Sequence, residues 1–365
     1  MGPSDFDSPA THVPAPTIAR LDRTVRAHVP LDRASLAPSI LALEEDLDAL
    51  DASLAATCAR HGEVTPMYGA ILHMLEARGK LLRPTCVFLA AALFGGGGER
   101  ARAYAYASEL VHGATLLHDD VVDDGTERRG RPAARVVYGN AASVFGGDWM
   151  LVEAVKRIHG AGQPDVLHDA LRTLDTMLEA ESLQLALRGS LRATREDYLR
   201  IVRGKTASLF RWAMVSGARA ADAPANGVLA VATFAEAIGT AFQVVDDALD
   251  FADTSEATGK SVLTDLREGK VTYPVLVALE ARPELAVAFR ELRDAPHDGR
   301  ADDARFETCL VAVRNAIVET GALATTRDFA GSLVARALDV ANGLPDTPAR
   351  THLLAIASTL AERRM

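Results

Sequence analysis

Three observations predict an all-α fold. The chain is 48% hydrophobic but only 5% aromatic, and it is rich in Ala and Leu with few β-branched runs, a balance that favours helix over strand. Its apolar residues recur every three or four positions along most of its length. The breaks between these periodic stretches are short and marked by Gly or Pro. At 365 residues the chain could hold one large core or two ordinary domains, and no internal linker divides it. The expected organisation is a single large helical domain over residues 35–365 behind a disordered tail, residues 1–34.

Pro3, Pro9, Pro14, Pro16 and Pro30 interrupt that tail, which shows little apolar periodicity. From Ser39 to Cys58, Ile40, Leu43, Leu47, Leu50 and Leu54 define one face of an amphipathic helix with acidic residues outside. Met67 to Leu75 and Pro84 to Phe94 are the next two helices, the second with Pro in its first turn. Gly95 to Gly98 end it. No Lys-Ser/Thr follows, so this run reads as a helix–helix loop rather than a phosphate cradle. Helical text then covers 100–124, 140–159, 165–188, 195–217, 226–251, 271–281, 284–293, 303–320, 322–342 and 347–363. No segment alternates like a strand.

A formal net charge of −10 argues against a nucleic-acid partner, so basic residues at any site act locally. Cys58, Cys86 and Cys309 follow no metal-ligand spacing and read as free thiols of a reducing compartment. The longest purely apolar stretch near the core, Val87 to Phe94, falls well short of the roughly 20 residues of a membrane span. No secretory or lipidation signal is read at either end. The expectation is a cytoplasmic protein without a membrane span.

Two aspartate clusters of the same form interrupt this helical text, Asp119-Asp120-Val121-Val122-Asp123 and Asp246-Asp247-Ala248-Leu249-Asp250. Each places carboxylates at i, i+1 and i+4, and crowding like charges on one helix face costs stability. A divalent cation explains why they are kept. Aspartate oxygens suit Mg²⁺, which shares its shell between one or two carboxylates and substrate phosphates. Basic residues follow each cluster: Arg128-Arg129 after the first, Lys260 and Lys270 after the second. A solvated, ion-paired helix end would explain one such cluster. Two of them, the second flanked by apolar residues, point instead to a metal-held phosphate group.

Further basic sites agree. Lys80 and Arg83 sit just before a helix N-terminus, which favours anions. Lys205-Thr206 pairs an ammonium with a hydroxyl inside apolar text, and such a lysine needs an anionic partner. His112 lies about two turns before Asp119 and reads either as a phosphate donor or as a satisfied core histidine.

With Gly79-Lys80-x-x-Arg83-Pro84, the first aspartate motif with Arg128-Arg129-Gly130, Lys205-Thr206, Gln243 with the second aspartate motif, and Gly259-Lys260, the chain resembles the trans-isoprenyl (polyprenyl) diphosphate synthases. The resemblance spans roughly residues 35–365. It implies an all-α bundle around a deep central cavity, a homodimer, and three Mg²⁺ ions bridging the aspartate helices and an allylic diphosphate. Carried over by position, Asp119, Asp123 and Asp246 are metal ligands with Asp247 and Asp250. Asp119, Asp120, Asp123, Lys205 and Asp246 are the catalytic set. Arg128, Lys205, Thr206, Gln243 and Lys260 face the allylic diphosphate, Lys80, Arg83, His112 and Arg129 the isopentenyl diphosphate, and Lys270 is a further substrate-binding residue. Glu179 to Gln184 is similar to the family's acidic segment, with Gln184 facing the cavity. Arg78 replaces a common first glycine and Ser261 a frequent proline, neither removing a charged ligand.

The implied reaction ionises the allylic diphosphate, adds isopentenyl diphosphate to the cation and loses a proton to the released diphosphate. Transient membrane contact could accompany product release. Short-chain members tend to place a large aromatic four or five positions before the first aspartate. Thr115 and Ala114 stand there, so a product longer than geranylgeranyl is expected, most like the octaprenyl-type members. A floor from a neighbouring helix through Trp149 or Met150 is the alternative. A class I terpene cyclase is disfavoured because Asp250 and Thr254 stand where its second metal motif needs Ser/Thr and Glu. A regulatory subunit would lack aspartates or cations, and a phosphohydrolase built on His118-Asp119 would want further histidines.

Overall fold

The computed structural model describes residues 65–76, 81–252, 263–294 and 303–362, with a few helical positions between 45 and 56. The expected tail, most of the Ser39 to Cys58 helix, and Arg78, Lys80, Lys260 and Ser261 lie outside the described residues.

Helices run Pro66–Glu76, Leu82–Ala92, Gly98–Val122, Asn140–Gly160, Pro164–Leu187, Arg195–Val202, Ser208–Ala220, Ala225–Ala252, Tyr273–Ala281, Leu285–Asp294, Asp303–Glu319, Ala322–Asn342 and Pro348–Glu362. Ends fall within a few residues of those expected from Pro and Gly punctuation. Three details differ. A two-residue hairpin, Glu127–Arg128 paired with Arg131–Pro132, follows the first aspartate cluster. Short helices occupy Ala134–Tyr138 and Thr264–Arg267. The expected continuous helix 195–217 is broken by a π-helical turn, Arg203–Ala207, which carries Lys205 and Thr206.

Two apolar clusters form the core. One surrounds the first aspartate helix, Gly98–Val122, with Leu110, Leu117 and Met150 fully buried. The other surrounds the second, Ala225–Ala252, with the C-terminal helices. Helix Ser208–Ala220 joins them, giving Phe210 and Met214 to one cluster and Leu209 and Trp212 to the other. It also packs closely on Leu82–Ala92. Gly217 permits that approach, because a Cβ there would stand 2.2 Å from the Val87 carbonyl oxygen. The two aspartate helices are therefore positioned by one shared element.

The second aspartate helix also qualifies the expectation of no membrane span. Ala225–Phe251 is long and apolar enough to cross a bilayer by length and composition alone. Its most apolar window is 61% buried inside the protein, and it ends in three aspartates. It reads as the central core helix.

Candidate active site

Adjacent residues of the π-turn reach both aspartate helices. The Lys205 ammonium lies 3.5 Å from Asp119 Oδ2 and 2.6 Å from Glu181 Oε2, and it donates to Gln184 Oε1 at 3.2 Å. The Thr206 hydroxyl donates to Gln243 Oε1 at 2.9 Å, and Gln243 Nε2 donates to Asp247 Oδ1 at 2.7 Å. A π-turn re-aims side chains by about one position, and such turns concentrate at functional sites. Gly204 lets this turn lie against helix Pro164–Leu187, since a Cβ there would stand 2.5 Å from Ala180 Cβ. Lys270, downstream of the second cluster, crosses to the first and meets Asp123 Oδ2 at 3.2 Å. The clusters thus share one site, around a cavity of about 120 Å³ lined by Gln184, Lys205, Thr206, Gln243, Asp247 and Lys270 among others.

The aspartates are not equivalent. Asp119 faces Lys205, and burial pushes its carboxyl above the usual range against the pull of that ammonium. Asp123 caps the first aspartate helix between Lys270 and Arg188. Burial would raise it, but the Lys270 ammonium and the Arg188 guanidinium outweigh that and hold it below the usual range. Asp120, only 1% exposed, points elsewhere: Arg128 donates to its Oδ1 through Nη2 and, at 3.0 Å, through Nε. Arg128, expected on the allylic diphosphate, is thereby engaged by this carboxylate.

In the second cluster, Asp246 is exposed and Asp250 half-buried. Asp250 Oδ2 accepts from the Asp265 backbone N–H at 3.1 Å. Asp247, expected among the metal ligands, is 3% exposed with both oxygens engaged, Oδ1 by Gln243 and Oδ2 by the Tyr198 hydroxyl at 2.6 Å. Burial pushes its carboxyl up to about 7, although both hydrogen bonds pull it down. Tyr198, raised well above its ordinary value first by burial and then by Asp247, stays protonated and donates.

A second basic group forms across the first aspartate helix. Arg83 is half-buried with its guanidinium 4.7 Å above the Phe210 ring, and loss of solvent around it lowers it to about 10 with Glu109 opposing. Its Nε has no partner among the described residues. His112 is held well below its ordinary value by burial, then by Arg83, Arg129 and Arg128, so its imidazole is neutral. Arg129 and His112 line a small adjoining pocket with Glu109 and Gly113. His112 thus belongs to a cationic group rather than to the apolar core alone.

Among the described residues, no three His, Cys, Asp or Glu side chains gather as a ready-made metal cage. Mg²⁺ takes one or two carboxylates and completes its shell with water and phosphate. Asp119, Asp123, Asp246 and Asp250 fit this habit, being carboxylates at the rim rather than a closed shell. Tyr198, Arg188, Asp265 and Glu268 were not expected. Asp265 and Glu268 stood in the acidic-basic text before Lys270, whereas Tyr198 and Arg188 carried no local signal.

The polyprenyl synthetase family model matches residues 64–310. The chain belongs to this family. It is 34% identical over 322 residues to heptaprenyl diphosphate synthase component 2 of Geobacillus stearothermophilus, covering 88% of this chain and 97% of that one. It is 35% identical over 301 residues to octaprenyl diphosphate synthase of Escherichia coli, covering 80% and 88%. A crystal structure of polyprenyl synthase from Caulobacter crescentus complexed with calcium and isoprenyl diphosphate superposes with a TM-score of 0.78, at 29% identity over 97% and 100% of the two chains. The all-α fold of these synthases is the fold of this chain.

Proposed function

We propose that the protein is a Mg²⁺-dependent trans-polyprenyl diphosphate synthase. It condenses isopentenyl diphosphate head-to-tail onto an allylic diphosphate and makes a product longer than geranylgeranyl. One observation carries this reading: Lys205 and Thr206, adjacent in the chain, reach the first and second aspartate helices respectively. A cation and a hydroxyl suited to phosphate therefore stand between the two carboxylate clusters.

Asp119, Asp123, Asp246 and Asp250 hold the metal, and Asp120 and Asp247 hold Arg128 and the Gln243–Thr206 pair in place. Bound there, Mg²⁺ supplies Lewis-acid stabilisation to the diphosphate as it leaves. Lys205 and Lys270 add fixed positive charge where the negative charge develops. The C–O bond of the primer breaks with its electron pair on the diphosphate, and the double bond of isopentenyl diphosphate attacks the allylic cation. A proton then passes to the released diphosphate, which requires no protein base. Arg83, His112 and Arg129 hold the second diphosphate across the helix.

Small Ala114 and Thr115 support the longer product, as do relatives named for heptaprenyl and octaprenyl products. Gly113, however, packs against Met150, since a Cβ there would lie 2.5 Å from Met150 Cε. Met150 is thus placed where a floor would stand. Incubation with Mg²⁺, an allylic primer and labelled isopentenyl diphosphate, followed by sizing of the products, tests both parts. No condensation overturns the activity, and a stop at farnesyl or geranylgeranyl diphosphate overturns the length.

Exposed apolar residues support a homodimer. Leu171, Leu178 and Leu185 recur every seven positions on helix Pro164–Leu187, with Leu178 72% exposed. Phe145, 61% exposed, and Val152 are also exposed, on helix Asn140–Gly160. Exposed apolar side chains spaced along one helix suit an interface, and a second copy of the chain is the occupant we assign to them. The buried free thiol of Cys86 agrees with a cytoplasmic protein.

A further inference from the structure

Asp123 is the residue through which the molecule closes its own metal site. Three segments distant in sequence meet there. Arg188, just beyond helix Pro164–Leu187, donates through Nη2 to Asp123 Oδ1 across 65 positions. Lys270 donates to Oδ2 across 147 positions. The two cationic loops are tied by a backbone bond from Gly189 N to Gly269 O at 2.8 Å. Gly269 adopts φ +72°, a left-handed conformation that glycine tolerates best. Both carboxylate oxygens proposed to receive a metal are thus occupied by cations.

The two cations are anchored differently. Lys270 is also held by Glu268 at 2.5 Å, so it keeps an anion if Asp123 is taken. Arg188 has no second carboxylate within ion-pair distance among the described residues, and its Nε is buried without a partner. Its side chain lines the same 120 Å³ cavity as Lys205 and Thr206. A divalent ion and a guanidinium cannot share one carboxylate oxygen without strong repulsion at a few ångströms. Arg188, with a spare donor and no second anchor, is therefore the less firmly held of the two.

We propose that Arg188 is a placeholder cation for the metal at Asp123 which, once displaced, turns into the cavity and binds a diphosphate. The guanidinium fork suits phosphate oxygens bidentately, and the buried Nε supplies a donor that Asp123 does not use. Arg188 is then exchanged between two anions in each cycle: Asp123 when the site is empty, diphosphate when it is loaded. No bond is made or broken in the exchange. It rests on the reading of the aspartate helices as a metal–diphosphate centre.

Two titrations test it on the full chain, with Mn²⁺ and inorganic diphosphate as probes. Mn²⁺ binding is followed by the electron paramagnetic resonance of the free ion, and diphosphate binding at saturating Mn²⁺ by calorimetry. Arg188→Gln should tighten Mn²⁺ about fivefold in the absence of diphosphate, through loss of a competitor worth as much as a partly exposed ion pair. It should weaken diphosphate about tenfold, through loss of a charge-assisted fork. Arg188→Lys keeps the charge without the fork, so Mn²⁺ affinity should stay near wild type while diphosphate still weakens. The Lys variant decides the matter should the Gln variant fail to fold by circular dichroism. Wild-type protein that binds no Mn²⁺ would overturn the metal-centre reading itself. Wild-type binding with Mn²⁺ affinity unchanged in Arg188→Gln, or with diphosphate affinity unchanged in either variant, would overturn the exchange alone.

Discussion

Replacing Tyr198 with Phe removes one oxygen atom and leaves the ring, which packs tilted against Tyr273 with centroids 5.5 Å apart. The lost hydroxyl donates to Asp247 at 2.6 Å, and Gln243 alone remains as donor. The cost depends on the charge of Asp247. Its folded pKa, about 7, lies above the ordinary carboxylate value near 3.9. A carboxyl raised in this way contributes stability while protonated, and loses it as pH climbs from about 4 through 7. At pH 5 the variant therefore loses a neutral hydrogen bond of about 1 kcal/mol, and at pH 8 a bond to a charged acceptor of about 2–3 kcal/mol. An unfolding entropy of about 2.1 cal/mol/K per residue makes about 0.8 kcal/mol/K for the whole chain. The metal-free variant should then melt about 1 °C below wild type at pH 5 and about 3 °C below at pH 8. Because Tyr198 fixes the carboxylate array from outside, half-saturation by Mg²⁺ should also rise at least tenfold in activity assays. Equal shifts at the two pH values, or an unchanged Mg²⁺ requirement, would refute the role assigned to Tyr198.

Arg129→Ala should raise the KM for isopentenyl diphosphate about tenfold or more, as expected for a lost charged contact, with a smaller effect on the primer. Equal losses in steady-state kinetics would refute the partition, as they would for Lys80→Ala. Ala114→Phe inserts a ring at a fully buried position of the first aspartate helix. It should shorten the product by several isoprene units while the first condensation proceeds, and an unchanged product distribution by mass spectrometry would place the floor at Met150 or beyond. Leu178→Asp should halve the particle from twice the 38.8 kDa chain mass to a single copy in light scattering. A wild-type monomer would refute the homodimer.

Much of this site is legible in the sequence because its cost is local. Three carboxylates on one helix face repel one another, and Lys205 in apolar text needs an anion, so each announces a partner it cannot supply itself. The partners that answer are remote. Tyr198 lies 49 positions from Asp247 and Arg188 65 positions from Asp123, and neither is unusual where it stands. Helix ends are legible for the same local reason, Pro and Gly acting within a turn. The π-turn at Arg203–Ala207 is not, because it changes neither composition nor apolar periodicity enough to register. It goes with a tertiary contact, the close seating of Gly204 against Ala180.

That distinction bears on how the two aspartate clusters divide their work. Identical in sequence form, they differ in environment at the middle carboxylate: Asp120 is clamped by an arginine and Asp247 by a tyrosine and a glutamine. In both, the i+1 carboxylate is the most buried of the three and the outer pair remains at the rim. Spacing at i and i+4 places the outer carboxylates on one face, while i+1 falls about 100° around the helix, toward the packed interior. The middle aspartate is therefore disposed to hold the basic and polar groups that the helix packs against, and the outer two to hold the metal. Asp120 is thus held by a positively charged clamp, whereas Asp247, held by neutral donors, is pushed up to about 7 by burial. Metal arriving at Asp246 and Asp250 would pull Asp247 toward its ionised form and tighten the bonds from Tyr198 and Gln243. Gln243 accepts from Thr206, so that tightening reaches the π-turn carrying Lys205, and the second cluster is coupled to the cation that faces the first.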